Sequence, residues 1–548
     1  MDHQKLSIVQ ELKERESLTI DEKIALYLKL KSENYEDYNF ENEDELTLYG
    51  YSFLWEGDVE NALKIFHLIA EEFNSANSYD NLGEAYLMGE NTELALINYR
   101  KSLKLNPENF NAEDQIELIE NPEKALETPA DKFAKVYSVD EYKNDLDQLG
   151  NKLLEVHPNA LKFISKDDFW KTIEEKKSLI KANTTYGEFI WHCSEIIANI
   201  NCSHTSLNRF FQESQMLPVS MRFPLQVRLV NEQLFVIDPL NNGKNIKLKD
   251  EILSINGILI NDLVDDIYKH ISSQGYITTA KKQFFNTWAT AMIPYALQFP
   301  ASYNVVIKGA NEPINLDKAE SFKDLFRDPS IRSCGEDLCL EVLNNNTALL
   351  TISSFNYYPW NNLSVFTDFI DKSMTEINEK GVQNLIVDVR FNGGGSQQSA
   401  IHLLRYLVDK PFKYYSKADF EGKTNKIDGE EIIQPFKDRF LGNQYFIIDG
   451  EGNSTTGHFM SLVKAFDLGI IVGEELGSNH FCSAGQTICR LSNTKLQYYV
   501  ANNTHVSTAT SFPDEIGILP DYYVTQDIDA FLEKKDVVKA FTLNLINE

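Results

Sequence analysis

Between residues 5 and 155 apolar positions recur three and four apart, the spacing of helices that bury one face. Inside that stretch Gly50, Phe53, Ala62 and Phe66 return as Gly83, Tyr86, Ala95 and Tyr99, each shifted by 33 (83 − 50). Each copy predicts two short helices, with a small residue where they touch, aromatics on the inner face, and Pro107 after the second copy. Two copies bury little by themselves, so helices within 5–35 and 130–155 are expected to cap them. Helical spacing continues through VDEYKNDLDQLGNKLLEV and YGEFIWHCSEIIANI, over residues 130–215. From Phe223 the period changes to two, in FPLQVRLV and QLFVI, with Asn241-Asn242-Gly243 as a turn signal. From about Asn346 apolar strands (ALLTISSF, NLIVDV, QYFIID) alternate with amphipathic helices, the pattern of a mostly parallel sheet covered by helices.

The expected fold is therefore multidomain α/β. An all-α repeat region spans 1–125, a helical lead-in 126–215, a small β-rich module with its linker 216–340, and an α/β core 341–548. The 33-residue repeat resembles the tetratricopeptide repeat, whose period is ~34. The segment LKDEILSINGILINDLV, with a strand, an Asn-Gly turn and a following helix, resembles a PDZ domain; no Gly-Leu-Gly-Phe carboxylate-binding loop precedes it.

Composition narrows the function. The 548 residues carry a net charge of -30, which repels phosphate backbones and anionic lipid and sets nucleic acid aside as a partner. No run approaches the ~20 apolar residues that span a bilayer. The first residues, MDHQKLSIVQELKERE, lack the charged and apolar regions of a secretory signal, so a cytoplasmic location is expected; a processed chain would read the same, which leaves a periplasmic or secreted one open. Six cysteines are too few for a disulfide scaffold, and none has zinc-ligand spacing, so neither a metal nor another cofactor is expected. Free thiols are the favoured reading, although Cys334–Cys339 and Cys482–Cys489 could each bridge a turn in an oxidising compartment.

Two loops at carboxyl ends of strands carry the candidate chemistry, where ligands of such sheets bind. After NLIVDV comes Arg390-Phe391-Asn392-Gly393-Gly394-Gly395-Ser396, whose glycines let backbone N–H groups approach an anion beside a helix N-terminus. It has neither the lysine of a P-loop nor the spacing of a dinucleotide fingerprint, and a tight structural turn is the competing reading. After QYFIID comes Gly450-Glu451-Gly452-Asn453-Ser454-Thr455-Thr456-Gly457, then an apolar helix. A serine at such a junction is presented at the sheet edge, with the next N–H able to face a developing negative charge. By itself Ser454 is equally well explained as a helix N-cap.

The order DVRFNGGG, GNSTTGHF, IIVGEE, GILPD resembles the core of the tail-specific, C-terminal-processing and tricorn-core serine peptidases, over about residues 130–530. The resemblance implies a mostly parallel core of the ClpP/crotonase kind and a nucleophile at Ser454. It places an oxyanion hole at the N–H groups of Gly394 or Gly393 and of Thr455. The stretch Gly477-Ser478-Asn479-His480 has no lysine where the tail-specific branch carries its base, so the tricorn-like branch fits better, with His204 in Cys202-Ser203-His204-Thr205 as general base. Ser203 matches that branch's relay serine. The relay carboxylate falls at Asp514 where the family carries glutamate, with Glu515 as the fallback. His480 is a rival base, and His458 is expected to pack or cap.

The implied activity is hydrolysis of peptide bonds in unfolded proteins or peptides through an acyl-enzyme, with the repeats recruiting a protein partner. Two other classes remain: an inactive or repurposed core that binds ligand or protein, and an adaptor acting mainly through residues 46–107.

Overall fold

The computed structural model describes all residues except 1–4, 208–216, 311, 323–335, 345, 357–362, 420–428 and 548. The chain divides into two compact units, one within residues 1–127 and one within 128–548. The first unit holds α1 (Ile8–Glu14), α2 (Ile20–Glu33), α3 (Glu43–Trp55), α4 (Val59–Phe73), α5 (Ala76–Met88), α6 (Thr92–Leu105) and α7 (Phe110–Glu120), with β1 (Leu6–Ser7) beside β2 (Tyr38–Asn39). The 33-residue repeat is the α3–α4 and α5–α6 hairpins. In both copies the glycine lets the helices touch: a Cβ on Gly50 would sit 2.5 Å from the Phe66 ring, and one on Gly83 2.7 Å from the Tyr99 ring. Side-chain caps start these helices, including the reciprocal pair of Thr19 and Glu22 on α2.

In the second unit α8 (Pro129–Ala134), α9 (Val139–Val156), α10 (Lys166–Leu179) and α11 (Tyr186–Ala198) form the helical lead-in. It is fastened to distant strands by buried polar ties. Asp145 on α9 accepts from the backbone N–H groups of Asn493 and Thr494, at 3.1 and 2.8 Å. Asn159 donates to Ser483 and Thr504 at 3.0 and 2.8 Å. A small antiparallel sheet follows, in the order β3 (Gln226–Val230), β4 (Gln233–Asp238), β5 (Glu251–Ile255), β7 (Tyr303–Ile307), β8 (Ile314–Leu316), with β6 (Ile258–Leu259) paired to β5. Asn256 and Gly257 make the two-residue turn between β5 and β6 with φ of 49° and 82°, as a tight hairpin requires. Then come α12 (Ile260–Tyr268) and α13 (Thr278–Ala296). Helix α13 closes the outer edge of β3: Asn286 donates to Leu229 O at 3.2 Å and accepts from Leu229 N at 2.7 Å, and Phe223 N donates to Thr290 O.

The last layer is a six-stranded sheet in the order β19 (Tyr522–Tyr523), β14 (Ile470–Gly473), β13 (Asn443–Ile448), β11 (Asn384–Asp388), β10 (Thr347–Ile352), β9 (Leu338–Asn344). All neighbours run parallel except β9 against β10. Every residue of β10 and β11 is buried, as expected of central strands covered on both faces. The helices that follow strands are α14 (Ser364–Glu379), α15 (Gln397–Leu407) and α16 (Thr455–Ala465), and beyond α17 (Ile528–Leu532) the C-terminal α18 (Val537–Asn547) lays Val538, Leu543 and Ile546 against Leu349, Ile386 and Ile447. Two further antiparallel pieces, β12 (Tyr415–Asp419) with β18 (Asn503–Ser507) and β15 (Phe481–Ala484), and β16 (Thr487–Arg490) with β17 (Gln497–Val500), lie outside this sheet.

The free-thiol expectation holds for Cys193, Cys202, Cys482 and Cys489, the last two on strands of different sheets, and needs correction at one position. Cys339 is disulfide-bonded rather than free, and Cys334 lies outside the described residues.

Asn286→Ala would leave the buried N–H and C=O of Leu229 without their partner, at roughly 1–3 kcal/mol for each orphaned group. The expected result in denaturant unfolding is a midpoint shift equivalent to roughly 2–6 kcal/mol.

Candidate active site

The glycine loop is held from below by ions. Arg390 is 6% exposed and grips two carboxylates through paired contacts: Nε and Nη2 on Asp388 at 3.0 and 2.6 Å, Nη1 and Nη2 on Asp536 at 2.9 and 2.7 Å. Asp536 also accepts from Lys539 N at 3.0 Å, so the C-terminal helix is tied to the end of β11. The next anchor is Asn392, fully buried. Its Nδ2 donates to Ile352 O at the end of β10 at 3.0 Å, its Oδ1 accepts from Gly394 N at 2.9 Å, and its carbonyl accepts from Asn453 N and Thr456 Oγ1. One residue thus fastens two strand ends and both candidate loops.

Ser454 stands at the junction of β13 and α16 with φ 56° and ψ −123°, a left-handed backbone that costs a non-glycine residue about 1–3 kcal/mol. It occupies the N-cap position of α16, yet its side chain makes no capping hydrogen bond. The N-cap reading therefore fails, and the hydroxyl is left for other partners. The loop opposite is pressed onto it. A Cβ on Gly394, whose φ is 103°, would lie 2.7 Å from Ser454 Cβ and 2.7 Å from Asn453 O, so glycine is required there.

Of the three expected oxyanion donors, the structure leaves two available. Gly394 N–H is taken by Asn392 Oδ1, whereas the N–H groups of Gly393 and Thr455 have no partner among the described residues. Space opens around the Gly393 Cα, and Thr455 begins α16, whose N-terminal dipole favours negative charge. Thr455 is fixed by its own hydroxyl, which donates to Gly395 O at 2.5 Å.

His204 and Ser203, beyond α11, come to the same place. Ser203 Oγ donates to Asn453 Oδ1 at 3.0 Å, and that same oxygen accepts from Ser454 N at 2.8 Å. His204 Nδ1 is 3.3 Å from Ser203 Oγ and 3.6 Å from Cys482 Sγ. Protein packed around the imidazole lowers its pKa to about 4, with no charged neighbour to offset the loss of water.

Asp514 is placed differently from the relay expected of it. It pairs with His480 Nε2 at 2.9 Å and with Lys162, while Ser203 turns to Asn453. His480 is 3% exposed, and burial lowers its pKa although Asp514 pulls the other way. Glu515 extends an exposed side chain and contributes its carbonyl to Tyr276 N. His458 packs edge-on against Tyr414 and Tyr415, inside the molecule, as a packing residue.

Three contributors carry no sequence signal of their own. Asn392 and Asn453 act through side-chain amides in loops where asparagine is an ordinary turn former, and Cys482 sits in an apolar strand. Among the described residues no group of three or more His, Cys, Asp or Glu side chains is placed to hold a metal ion. A cleft of about 390 Å³ opens beside the two loops, walled by Arg228 and Val230 of β3, Gln283 of α13, Phe391 and Glu451; Ser454 is not among its lining residues.

Residues 346–524 match the model of Peptidase family S41. Among solved structures, mature CPAF complexed with lactacystin aligns over 74% of this chain and 99% of its own at 15% identity and a TM-score of 0.51. The photosystem II D1 C-terminal processing protease aligns over 72% and 96% at 13% identity and a TM-score of 0.35, and the tricorn protease over 74% and 36% at 15% identity and a TM-score of 0.31. No curated protein matches. At these identities the first likeness is one of fold.

Three imidazoles near the loops share one consequence. Burial holds His157 and His204 at about 4 and His458 at about 3, below the ~6.5 of an unfolded chain. As pH falls the unfolded chain takes up these protons first, so the stability of the neutral forms is full above about pH 6.5 and is lost toward pH 4. Melting temperature should fall between pH 7 and pH 4, and His458→Phe, which cannot protonate, should flatten part of that decline.

Proposed function

We propose that this chain, which carries a serine-type peptidase domain of family S41 over residues 346–524, cuts unfolded polypeptides through an acyl-enzyme on Ser454. The observation that carries the reading is the uncapped Ser454 hydroxyl on a left-handed backbone, pressed against Gly394 and within a few side chains of His204.

In this mechanism the scissile carbonyl seats its oxygen toward the N–H groups of Gly393 and Thr455. Ser454 Oγ attacks the carbonyl carbon while His204 accepts the hydroxyl proton, and the negative charge that develops on oxygen is met by two donors already in place. His204 then returns the proton to the leaving amine, and water releases the acyl group by the same steps in reverse roles. An imidazole held at about 4 is neutral at physiological pH, with one ring nitrogen unprotonated. Ser203 and Asn453 orient the pair, because Asn453 Oδ1 is shared between Ser203 Oγ and Ser454 N. His480, backed by Asp514, is the second reading for the base, favoured by its carboxylate partner. The helical hairpins of residues 43–105 are proposed to engage a protein partner, and the net charge of -30 argues against nucleic acid. Among the described residues no helix is long and apolar enough to cross a membrane.

The test is mass-spectrometric digestion of a disordered protein by the wild type and by folded Ser454→Ala, His204→Ala and His480→Ala variants. Ser454→Ala and His204→Ala should each lose on the order of 10⁴-fold or more in kcat, and His480→Ala far less. Loss in His480→Ala with activity kept in His204→Ala would transfer the base; unchanged turnover in Ser454→Ala would remove Ser454 from the chemistry. With His204 as base, kcat/KM should stay level above about pH 4 and fall below it, since only the neutral ring accepts a proton.

A further inference from the structure

The two proposed oxyanion donors sit on different loops, Gly393 N–H after β11 and Thr455 N–H after β13, so the spacing of those loops sets the spacing of the donors. Along the first loop the backbone donors are nearly all engaged. Arg390 N donates to Asp388 Oδ1 at 3.1 Å, Asn392 N to Val389 O at 3.3 Å and Gly394 N to Asn392 Oδ1 at 2.9 Å.

Phe391 N goes to a residue that has had no role so far. Asp449, 7% exposed and the first residue beyond β13, sets both carboxyl oxygens on it, Oδ1 at 3.2 Å and Oδ2 at 3.1 Å. Oδ1 also accepts from Glu451 N at 3.0 Å, and the Asp449 carbonyl accepts from Gly452 N at 3.3 Å, which closes the turn that leads to Ser454. One side chain therefore spans the entries of both loops. From Arg390 to Gly394, the Gly393 N–H is the one left open among the described residues.

Phe391 needs such a hold. Its φ is 62°, a left-handed backbone that a bulky side chain adopts only where its surroundings impose it. Relaxing that angle would redirect the chain on its way to Gly393. The negative charge of Asp449 is not what the position uses: Arg390 is already saturated by Asp388 and Asp536, and burial, followed by repulsion from Glu451, pushes the Asp449 carboxyl up toward its neutral form. What it uses is an accepting oxygen.

We infer that Asp449 is a positioning residue of the oxyanion hole: by holding Phe391 N in the left-handed turn it fixes the glycine loop against the loop of Ser454, and with it the separation of the Gly393 and Thr455 donors. This inference rests on the peptidase reading.

The experiment compares Asp449→Asn, Asp449→Ala and Asp449→Leu with the wild type. It measures kcat and KM on a disordered polypeptide, the rate at which a fluorophosphonate probe labels Ser454, and thermal melting. The probe's phosphoryl oxygen needs the same donors as a substrate oxygen, so its labelling reports the hole directly. Ala and Leu remove the acceptor, one leaving a gap and the other filling it. Each is expected to lose roughly 10²-fold in kcat and in labelling, the scale of a displaced oxyanion donor, with KM changed less than about twofold. Asp449→Asn keeps one oxygen for both N–H groups and should stay within about threefold of the wild-type rate. A role in stability alone predicts lower melting temperatures in Ala and Leu with kcat and labelling unchanged per folded molecule, and that result would overturn the inference. Failure of both to fold while Asp449→Asn folds would overturn it as well, by making the tie a requirement of folding. A parallel Ser454→Ala control separates the two levels: if it is inactive while Ala and Leu at position 449 match the wild type, this inference alone fails, and if Ser454→Ala still cleaves, the peptidase reading fails first.

Discussion

One buried side chain, Asn392, sets the geometry on which the rest of the site depends. Its amide joins the end of β10 to the glycine loop, and its carbonyl takes the backbone and hydroxyl donors of the loop that carries Ser454. Each of these bonds lies away from water, where an unmade partner costs more than a made one gains. The two loops consequently move as one piece. The left-handed backbone of Ser454 is held by that surrounding network and not by any preference of serine itself.

Around this tie the charges are arranged in two zones. Below the glycine loop, Arg390 is saturated by Asp388 and Asp536 and belongs to the framework, linking the central strand to the last helix. Above it, the groups next to Ser454 are neutral: His204 and His458 are held uncharged by burial, and Cys482 stays a thiol. A fixed ion pair beside the hydroxyl would compete for the proton that the proposed mechanism moves. In the proposed mechanism, preformed dipoles from Gly393 and Thr455 would impose no such competition and would need no reorganisation when charge develops on a substrate oxygen.

Periodicity carried much of the architecture. The 33-residue repeat corresponds to a repeated glycine–aromatic contact, Gly50 on Phe66 and Gly83 on Tyr99, and the alternation after Asn346 corresponds to a sheet that is parallel but for β9. The junction position of Ser454 was readable because a strand, a short loop and an apolar helix follow one another in sequence. The choice between Gly393 and Gly394 was not, since it turns on where the Asn392 amide points. The placement of Asp514 on His480 and Lys162 depends on loops that meet only in the folded chain, and Cys482 looks like any apolar residue in a strand. Free thiols, the favoured reading, hold for Cys482 and Cys489, which are close in sequence but lie on separate sheets, and fail at Cys339, which is disulfide-bonded.

The closed edge of β3 has a bearing on how the molecule handles its neighbours. Exposed strand edges invite other chains to add on, which is how many β proteins self-associate. Here Asn286 has already satisfied the outward backbone groups of Leu229, and Thr290 does the same for Phe223 N. Sticky, sequence-blind pairing at Leu229 is thereby suppressed. A chain lying in the adjoining cleft would meet the side chains of Arg228, Gln283 and Phe391 in place of an open strand edge at Leu229.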